Sequence, residues 1–273
     1  MFLHVDYFSR VLGKMMQMDV CVPQPNGNAP CGPVPEQGWK VLYLIHGWSD
    51  NHTCWQRFTS IERYAASRGV VVVMPDADLS FYTDMAHGAA YYTHMTEEIP
   101  AVVKDMFHIS DRREDTFICG LSMGGYGTLR MAMLNPEKYG GAACLSAGNF
   151  AEMLAEQAKG NTNQGWLNSM NNIFGDLFPN IMGTDFDVYH IVEKQLAAGK
   201  TMPRLFHCIG TEDGGYQSTQ STREFFEARK EHFDYTYREY PGAHDWKFWD
   251  AHICEVLDFF GLKEEEFRFP PRG

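Results

Sequence analysis

The sequence predicts an α/β fold built on a mostly parallel, twisted sheet with helices on both faces. Five short apolar runs lack the two-residue alternation of half-exposed strands, which is typical of strands buried on both faces. Helix-length amphipathic segments separate these runs, and strands that alternate with helices form parallel crossover units. The buried runs are VLYLIH at 41–46, VVVVM at 70–74, TFICG at 116–120, AACLSA at 142–147 and RLFHCIG at 204–210.

The remaining pattern completes one domain over residues 1–273, a length that suits a single large α/β unit. The first 22 residues predict two strands around a turn at 12–14, followed by a loop rich in proline and glycine. A further strand, YTYREY, precedes the last helix. Helices are predicted near 57–68, 96–107, 123–134, 216–232 and 246–260.

Residues 149–200 interrupt the alternation with a stretch that is helical in places and has no strand of its own. We interpret it as a cap-like helical insertion over the carboxyl edge of the sheet, where open α/β folds bind their ligands. Trp166, Phe174 and Tyr189 are its candidate substrate-binding side chains. The equal alternative is that these aromatic residues only pack the helices onto the body of the protein.

Composition and charge exclude several classes of partner. The chain carries 23 Lys and Arg against 35 Asp and Glu, a formal net charge of -12, and no basic run. Nucleic acid and anionic membrane surfaces would therefore meet net repulsion. The first residues lack a secretory signal pattern. The seven cysteines have no CxxC spacing and suit buried free thiols in a reducing cytoplasm, so we expect a cytoplasmic protein without a membrane partner.

The strongest motif is Gly120-Leu121-Ser122-Met123-Gly124, between a buried strand and the helix-forming run TLRMAML. This context is that of the nucleophile elbow of the α/β-hydrolase fold, in which serine lies on a sharp, strained turn. Glycine at 120 and 124 removes side chains that would collide with neighbouring backbone. Ser122 is therefore the predicted nucleophile, and the alternative of a turn that serves packing alone has less support.

A serine hydroxyl needs a general base that is itself oriented by an acid. In the α/β-hydrolase fold the base follows the nucleophile and the acid along the chain. His244 lies in a loop between a predicted strand and the last helix, where an imidazole can reach the nucleophile. His207 lies inside a strand, and His232 and His252 fall within predicted helices. His244 is therefore the predicted base.

The acid is expected in a loop that follows a late strand. Asp213 and its neighbour Glu212 both lie in the loop TEDGG after the strand at 204–210. Position alone leaves these two carboxylates open. Asp185 and Asp187 are more distant candidates whose residue type and position favour the start of a helix.

An oxyanion hole requires two backbone donors, one from the residue after the nucleophile and one from a loop after an early strand. Met123 supplies the first, and the strand VLYLIH runs into Gly47 and Trp48, so the Trp48 amide is the natural second. The His46 side chain is interpreted as a buried core histidine. The scattered histidines show no HExxH or paired HxH spacing, so we predict no metal and no cofactor.

These residues together resemble the tributyrin esterase and S-formylglutathione hydrolase (esterase D) superfamily, which also includes acetylxylan and feruloyl esterases. The resemblance covers nearly the whole chain. It implies a triad of Ser122, Asp213 and His244, with Trp48 and Met123 as oxyanion donors. The matching segments are FSRVLGK, LYLIHGWSDNHTCW, VVVMPDADLSFYTDM, YYTHMTEEIPAVV, FICGLSMGGYGTLRMA, GTEDGGY and PGAHDWKFWD.

The resemblance implies a serine carboxylesterase that hydrolyses short-chain acyl esters, acetyl to butyryl, through an acyl-serine intermediate. Carbohydrate-linked acetyl or feruloyl esters are included, so the expected partner is a small-molecule or oligosaccharide ester. The alternatives are an S-formylglutathione hydrolase-type thioesterase, an acyltransferase, and a catalytically inactive binding module on the same fold. A homo-oligomer is compatible with this interpretation.

Overall fold

The computed structural model describes residues 1–24 and 33–264, and one eight-stranded sheet runs through this part of the chain. Each strand predicted from the sequence is present, with bounds that shift by one or two residues. The strands are β1 (Phe2–Ser9), β2 (Lys14–Cys21), β3 (Lys40–Ile45), β4 (Val70–Pro75), β5 (Thr116–Leu121), β6 (Gly141–Leu145), β7 (Arg204–Gly210) and β8 (Tyr235–Tyr240).

The sheet is mostly parallel, as predicted. Its strand order is β1-β2-β4-β3-β5-β6-β7-β8. All pairs from β4 to β8 are parallel, whereas the β1-β2 hairpin lies antiparallel to the edge of β4. Because the carboxyl ends of parallel strands meet at one edge, the loops after β3, β5, β6, β7 and β8 all emerge together.

Helices lie between the strands, close to the predicted segments. They are α1 (Cys54–Phe58), α2 (Ile61–Ser67), α3 (Tyr91–Thr93), α4 (Ile99–Met106), α5 (Met123–Leu134), α6 (Phe150–Ala158), α7 (Gln164–Phe174), α8 (Val188–Ala197), α9 (Tyr216–Glu227) and α10 (Trp246–Phe259). The helix predicted at 57–68 is divided, because Thr59 has extended backbone and its hydroxyl accepts a hydrogen bond from the Ile61 amide at 3.1 Å. A π-helical turn at His94–Glu98 precedes α4.

Apolar side chains fill both faces of the sheet, which explains the unbroken apolar runs. In β3, Val41 and Tyr43 face a layer formed by α4 to α9, whereas Leu42 and Leu44 face α1, α2 and α10. All four side chains are buried. Burying apolar surface on two sides is the main stabilising contribution for such strands. Within the described ranges, no helix is long and apolar enough to cross a bilayer.

Residues 149–200 form α6, α7 and α8 without a strand, as predicted. The base of this excursion is closed by Asn149, whose amide nitrogen donates to Asp187 at 2.8 Å. Asp187 also caps α8, because its carboxylate accepts a hydrogen bond from the Tyr189 amide at 3.0 Å. Asp185 pairs with Lys194 at the surface. Asp187 therefore starts α8 as predicted, whereas Asp185 lies two residues before the cap and does not cap the helix.

His207 is a fully buried titratable group in β7. Its ring lies between the Tyr235 hydroxyl at 3.0 Å and the Ala147 carbonyl oxygen at 2.7 Å. Burial, only partly opposed by the hydrogen bond to Ala147, lowers the pKa of His207 from 6.5 to about 4. In the folded protein the His207 imidazole is therefore neutral above about pH 4.

This shift predicts a loss of stability in acid. The unfolded chain takes up a proton at His207 near pH 6.5, whereas the folded chain does so only near pH 4, so the free energy of unfolding should fall between these values. His207→Gln, which keeps hydrogen-bonding groups but cannot titrate, should remove about 3 kcal/mol of that fall. Urea titrations from pH 7 to 4 measure it, with exposed His232→Gln as the control. An unaltered pH slope in His207→Gln would contradict the assignment.

Candidate active site

Ser122 lies in the turn between β5 and α5, with φ 53° and ψ -120°. A residue other than glycine rarely adopts this left-handed backbone, and such strain persists only where the surroundings enforce it. Here the Ser122 amide donates to the Leu145 carbonyl oxygen at the end of β6, at 2.9 Å. The turn therefore fixes Ser122 at the amino end of α5, where the helix dipole favours developing negative charge.

Two glycines let the nucleophile turn touch its neighbours. A Cβ atom on Gly120 would overlap the backbone of Gly124. A Cβ atom on Gly124 would lie 2.5 Å from the His46 carbonyl oxygen and 2.8 Å from that of Ile45. The two glycines of the GxSxG motif thus allow the backbone of the turn to contact the loop that follows β3.

Asp213 and His244 form a hydrogen-bonded pair, with the imidazole Nδ1 2.8 Å from Asp213 Oδ2. Asp213 follows β7, and its other oxygen accepts a hydrogen bond from the Gly215 amide at 2.8 Å. The aspartate side chain is 1% exposed, whereas the histidine side chain is 41% exposed. This pairing leaves Nε2 of His244 free to face a substrate.

The charge state of Asp213 follows from its surroundings. Burial by itself raises the pKa of this carboxyl, but hydrogen bonds from His244 and the Gly215 amide, with a smaller contribution from the Ser146 side chain, together outweigh burial and hold the pKa below its usual range. Asp213 is therefore a carboxylate near neutral pH, and a carboxylate can only accept. His244 consequently carries a proton on Nδ1, the tautomer that a general base at Nε2 requires.

Two backbone contacts hold the acid and base loops together. The Glu212 amide donates to the Gly242 carbonyl oxygen at 2.9 Å, and a Cβ atom on Gly210 would overlap Gly242. The Glu212 side chain itself is exposed to solvent. Of the two carboxylates that the sequence left open, Asp213 is the one that meets His244. The competing His207 and His252 pack in the protein, and His232 lies in a turn after α9 rather than within a helix.

A cavity of about 400 Å³ opens where these loops meet. Ser122, Asp213 and His244 share its wall with Trp48 and Met123. Apolar side chains form most of the rest. They are Phe81, Ala147, Phe150, Met153, Leu154, Trp166 and Met170. The fold therefore brings every predicted catalytic and oxyanion residue to one cavity at the carboxyl edge of the sheet.

Only one of the three predicted substrate-binding residues lies in the wall of this cavity. Trp166 lines the cavity, but Phe174 and Tyr189 do not. Phe174 is 2% exposed and packs against Phe81 and other rings of the core. Tyr189 stacks on Phe225 with ring centroids 4.3 Å apart, and its hydroxyl lies 3.1 Å from that of Thr222. Both aromatic side chains attach the insertion to the body of the protein.

Sequence reasoning also missed part of the cavity wall. Phe150, Met153 and Leu154 on α6 face the cavity together. Their spacing of three and four residues places them on one helix face, which was the available indication. Phe81 gave no such indication, because it lies outside regular structure with a left-handed φ of 50°.

The loop after β3 is fixed by His46, the predicted core histidine. The Ala77 amide donates to His46 Nε2 at 3.0 Å, so Nδ1 carries the proton and donates to the Gly47 carbonyl oxygen at 2.8 Å. Burial lowers the pKa of His46, which keeps this ring neutral. The Gly47 carbonyl and the Trp48 amide belong to one planar peptide group, so this bond sets the direction of the Trp48 N-H. Tyr82 adds a hydrogen bond to the His46 carbonyl oxygen at 2.8 Å.

Across residues 1–24 and 33–264, the structure contains no group of three or more His, Cys, Asp or Glu side chains that could hold a metal ion.

Comparison with known proteins identifies the class. The model of the Esterase family matches residues 9–260. An acetyl esterase of Caldicellulosiruptor saccharolyticus is 28% identical over 260 residues, which cover 94% of this chain and 97% of that protein. The structure is similar to FphF, a fluorophosphonate-binding serine hydrolase of Staphylococcus aureus, at 31% identity and a TM-score of 0.83, covering 96% of this chain and 98% of FphF. It is also similar to the S. aureus S-formylglutathione hydrolase FrmB, at 31% identity and a TM-score of 0.80, covering 96% and 99%.

These findings confirm the predicted α/β-hydrolase fold, and with it a hydrolase that acts on ester bonds. The chain belongs to the Esterase family. The resemblance to the tributyrin esterase and S-formylglutathione hydrolase superfamily is thereby confirmed as well.

The contact between the nucleophile turn and the loop after β3 can be tested with Gly124→Ala. The added methyl group must displace the His46 and Ile45 carbonyl groups, so the free energy of unfolding should fall by about 1–3 kcal/mol. The Trp48 amide should move with them and reduce kcat/KM on the order of 10- to 100-fold. Gly165→Ala, at an exposed position of α7, is the matched control and should leave kcat/KM unchanged without lowering the free energy of unfolding, because alanine is the better helix former. Wild-type kinetics and stability in Gly124→Ala would refute this account of the turn.

Proposed function

We propose that this esterase is a serine carboxylesterase that hydrolyses short-chain acyl esters, acetyl to butyryl, through an acyl-Ser122 intermediate. The observation that carries the proposal is the convergence of Ser122, the hydrogen-bonded pair Asp213 and His244, and two candidate amide donors on one cavity. These groups come from four separate segments, because Ser122 and Met123 share one turn while Trp48, Asp213 and His244 each lie in another loop. Packing alone would not require this combination of residue types at one place.

In the proposed reaction, Ser122 Oγ attacks the ester carbonyl carbon while His244 Nε2 accepts its proton. The Trp48 and Met123 amides stabilise the oxyanion of the tetrahedral intermediate. The intermediate collapses as His244 returns the proton to the leaving alcohol, and water then repeats the sequence on the acyl-enzyme. Asp213 keeps the histidine in the required tautomer and stabilises its cation. No hydrogen bond joins Ser122 Oγ to His244 in the described part of the chain, and such contacts often tighten only with substrate.

The cavity wall favours uncharged esters. Among residues 1–24 and 33–264, no Lys or Arg side chain lines it, and Asp213 is the one acidic residue that does. A volume of about 400 Å³ lies at the small end of ligand sites. An acetyl esterase among the relatives agrees with a short acyl group. The polar side chains of Gln157, Ser218 and Thr219 also line the cavity, and they can form hydrogen bonds with the alcohol portion of the ester, including the hydroxyl groups of a sugar.

Thioester hydrolysis is the second candidate, because the S-formylglutathione hydrolase of S. aureus is a similar structure. The glutathione portion carries two carboxylates, and the cavity lining in the described part of the chain offers them no Lys or Arg partner. This mismatch places thioesterase activity behind ester hydrolysis. Acyl transfer to an alcohol and a purely binding role rank lower, because the 41% exposed His244 side chain is open to water and every catalytic position is filled.

The insertion and the cellular location belong to the same proposal. We infer that α6 and α7 act as a cap, since they supply Phe150, Met153, Leu154, Trp166 and Met170 to the cavity.

A cytoplasmic location is supported by the six described cysteines, which are free thiols, five of them buried.

The catalytic assignment predicts the effect of three substitutions. Ser122→Ala should abolish the burst of product from p-nitrophenyl butyrate, because no acyl-enzyme can form. Asp213→Asn should reduce kcat on the order of ten-thousand-fold through the wrong histidine tautomer. Glu212→Gln, which changes the adjacent but exposed carboxylate, is the matched control and should remain within twofold of the wild type, roughly the scatter of surface changes. Full activity in Ser122→Ala would exclude the mechanism.

Substrate choice is tested by comparing kcat/KM across esters. We expect the highest values for acetyl to butyryl esters, including an acetylated xylo-oligosaccharide, and a decline for acyl chains longer than about eight carbons. Methyl ferulate and S-formylglutathione form the other two arms of the panel. A clear preference for long chains or for the thioester would overturn the proposed substrate class.

A further inference from the structure

Ser146 occupies the position where the two halves of the site meet. It follows β6 directly, with a left-handed φ of 52° and a side chain that is buried. Its amide donates to the Cys208 carbonyl oxygen in β7 at 2.9 Å, and the carbonyl of Leu145 before it accepts from the Ser122 amide. The segment thus connects the nucleophile turn to the strand that leads to Asp213. A strained residue at such a junction points to a role in the site.

Trp249 connects Ser146 to the histidine. The indole N-H donates to Ser146 Oγ at 3.0 Å, and the indole ring packs perpendicular to the His244 ring, with centroids 5.1 Å apart. Trp249 lies on α10, one turn beyond the loop that carries His244. The tryptophan is almost completely buried, so its N-H would be costly to leave without an acceptor.

The hydroxyl of Ser146 has one proton to donate. Because its oxygen accepts from Trp249, that proton is directed away from the indole. Ser146 and Asp213 both line the cavity, and the Ser146 side chain contributes to the low pKa of the Asp213 carboxyl. The four side chains therefore form a circuit in which Asp213 binds His244, His244 packs on Trp249, Trp249 donates to Ser146, and Ser146 shares the cavity wall with Asp213.

We propose that Ser146 and Trp249 are positioning residues that hold the Asp213 and His244 pair in its reactive geometry, an inference that rests on the proposed serine esterase function. Ser146 acts on the carboxylate and Trp249 acts on both the serine and the imidazole. The imidazole needs such support because 41% of the side chain is exposed. Small misplacements of a catalytic base reduce the rate without changing how substrate binds in the ground state.

The experiment compares Trp249→Phe, Ser146→Ala and the double variant with p-nitrophenyl butyrate. Trp249→Phe keeps an aromatic ring but removes the N-H, and Ser146→Ala removes one oxygen while leaving the backbone conformation equally accessible. Each should reduce kcat on the order of tenfold with KM within about twofold. The double variant should lose little more than either single variant, because residues that act as a unit are not additive.

A pH profile separates positioning from simple loss of stability. A carboxylate with fewer donors attracts the imidazole proton more strongly, so the acid limb of kcat/KM should move to higher pH in Ser146→Ala, by on the order of half a unit. Trp39→Phe and Ser67→Ala are the matched controls, because both residues are buried next to the amino ends of strands, Trp39 before β3 and Ser67 at the end of α2 before β4, whereas the site lies at the carboxyl ends. Neither control should change kcat or the pH profile.

The outcomes are distinguishable. If Ser122→Ala is inactive while Trp249→Phe and Ser146→Ala behave like their controls, the positioning role is wrong and the esterase mechanism stands. If Ser122→Ala remains active, the proposed function fails and this inference fails with it. If the double variant shows the product of the two single losses, the residues act separately and the circuit is refuted. Should Trp249→Phe not fold, the kcat and pH profile of Ser146→Ala decide the question.

Discussion

The site depends on one steric constraint, the close approach of the nucleophile turn to the backbone on both sides of it. On one side Gly124 lies against the carbonyl groups of Ile45 and His46, and on the other the Ser122 amide is bonded to Leu145. These contacts hold Ser122 in a conformation that its own preferences oppose. They also bring the end of β3, which carries the Trp48 amide, to the same point as the end of β5.

The same principle extends along the sheet. The parallel strands β3, β5, β6, β7 and β8 end at one edge, and each adjoining pair of loops in the site is joined by backbone contacts. Gly210 and Gly242 join the acid and base loops as Gly124 joins the nucleophile and oxyanion loops. Within this frame His46 orients the oxyanion peptide, and the Gly215 amide orients the Asp213 side chain. The catalytic groups are thus held by backbone contacts, while the insertion supplies most of the apolar cavity wall.

Much of this could be predicted from the sequence, for identifiable reasons. Strands buried on both faces leave apolar runs, and the glycines of the nucleophile turn are required by contacts with main chain, so both persist as patterns. Asp213 and Glu212 could not be separated by position alone, since the difference is which side chain turns inward. The roles of the aromatic residues of the insertion could not be separated for a related reason, because an aromatic side chain at a helix surface serves packing or binding equally well. Phe174 and Tyr189 pack, whereas Trp166 reaches the cavity.

The most direct test of the central claim is to locate the reactive hydroxyl by peptide mass mapping after treatment with a fluorophosphonate. The cavity presents two serines at the ends of adjacent strands, Ser122 and Ser146, and a third, Ser218, on its polar side. We expect a stoichiometric adduct on Ser122, formed much more slowly in Asp213→Asn. An adduct on Ser146 or Ser218, or the absence of any adduct in the folded wild-type protein, would contradict it.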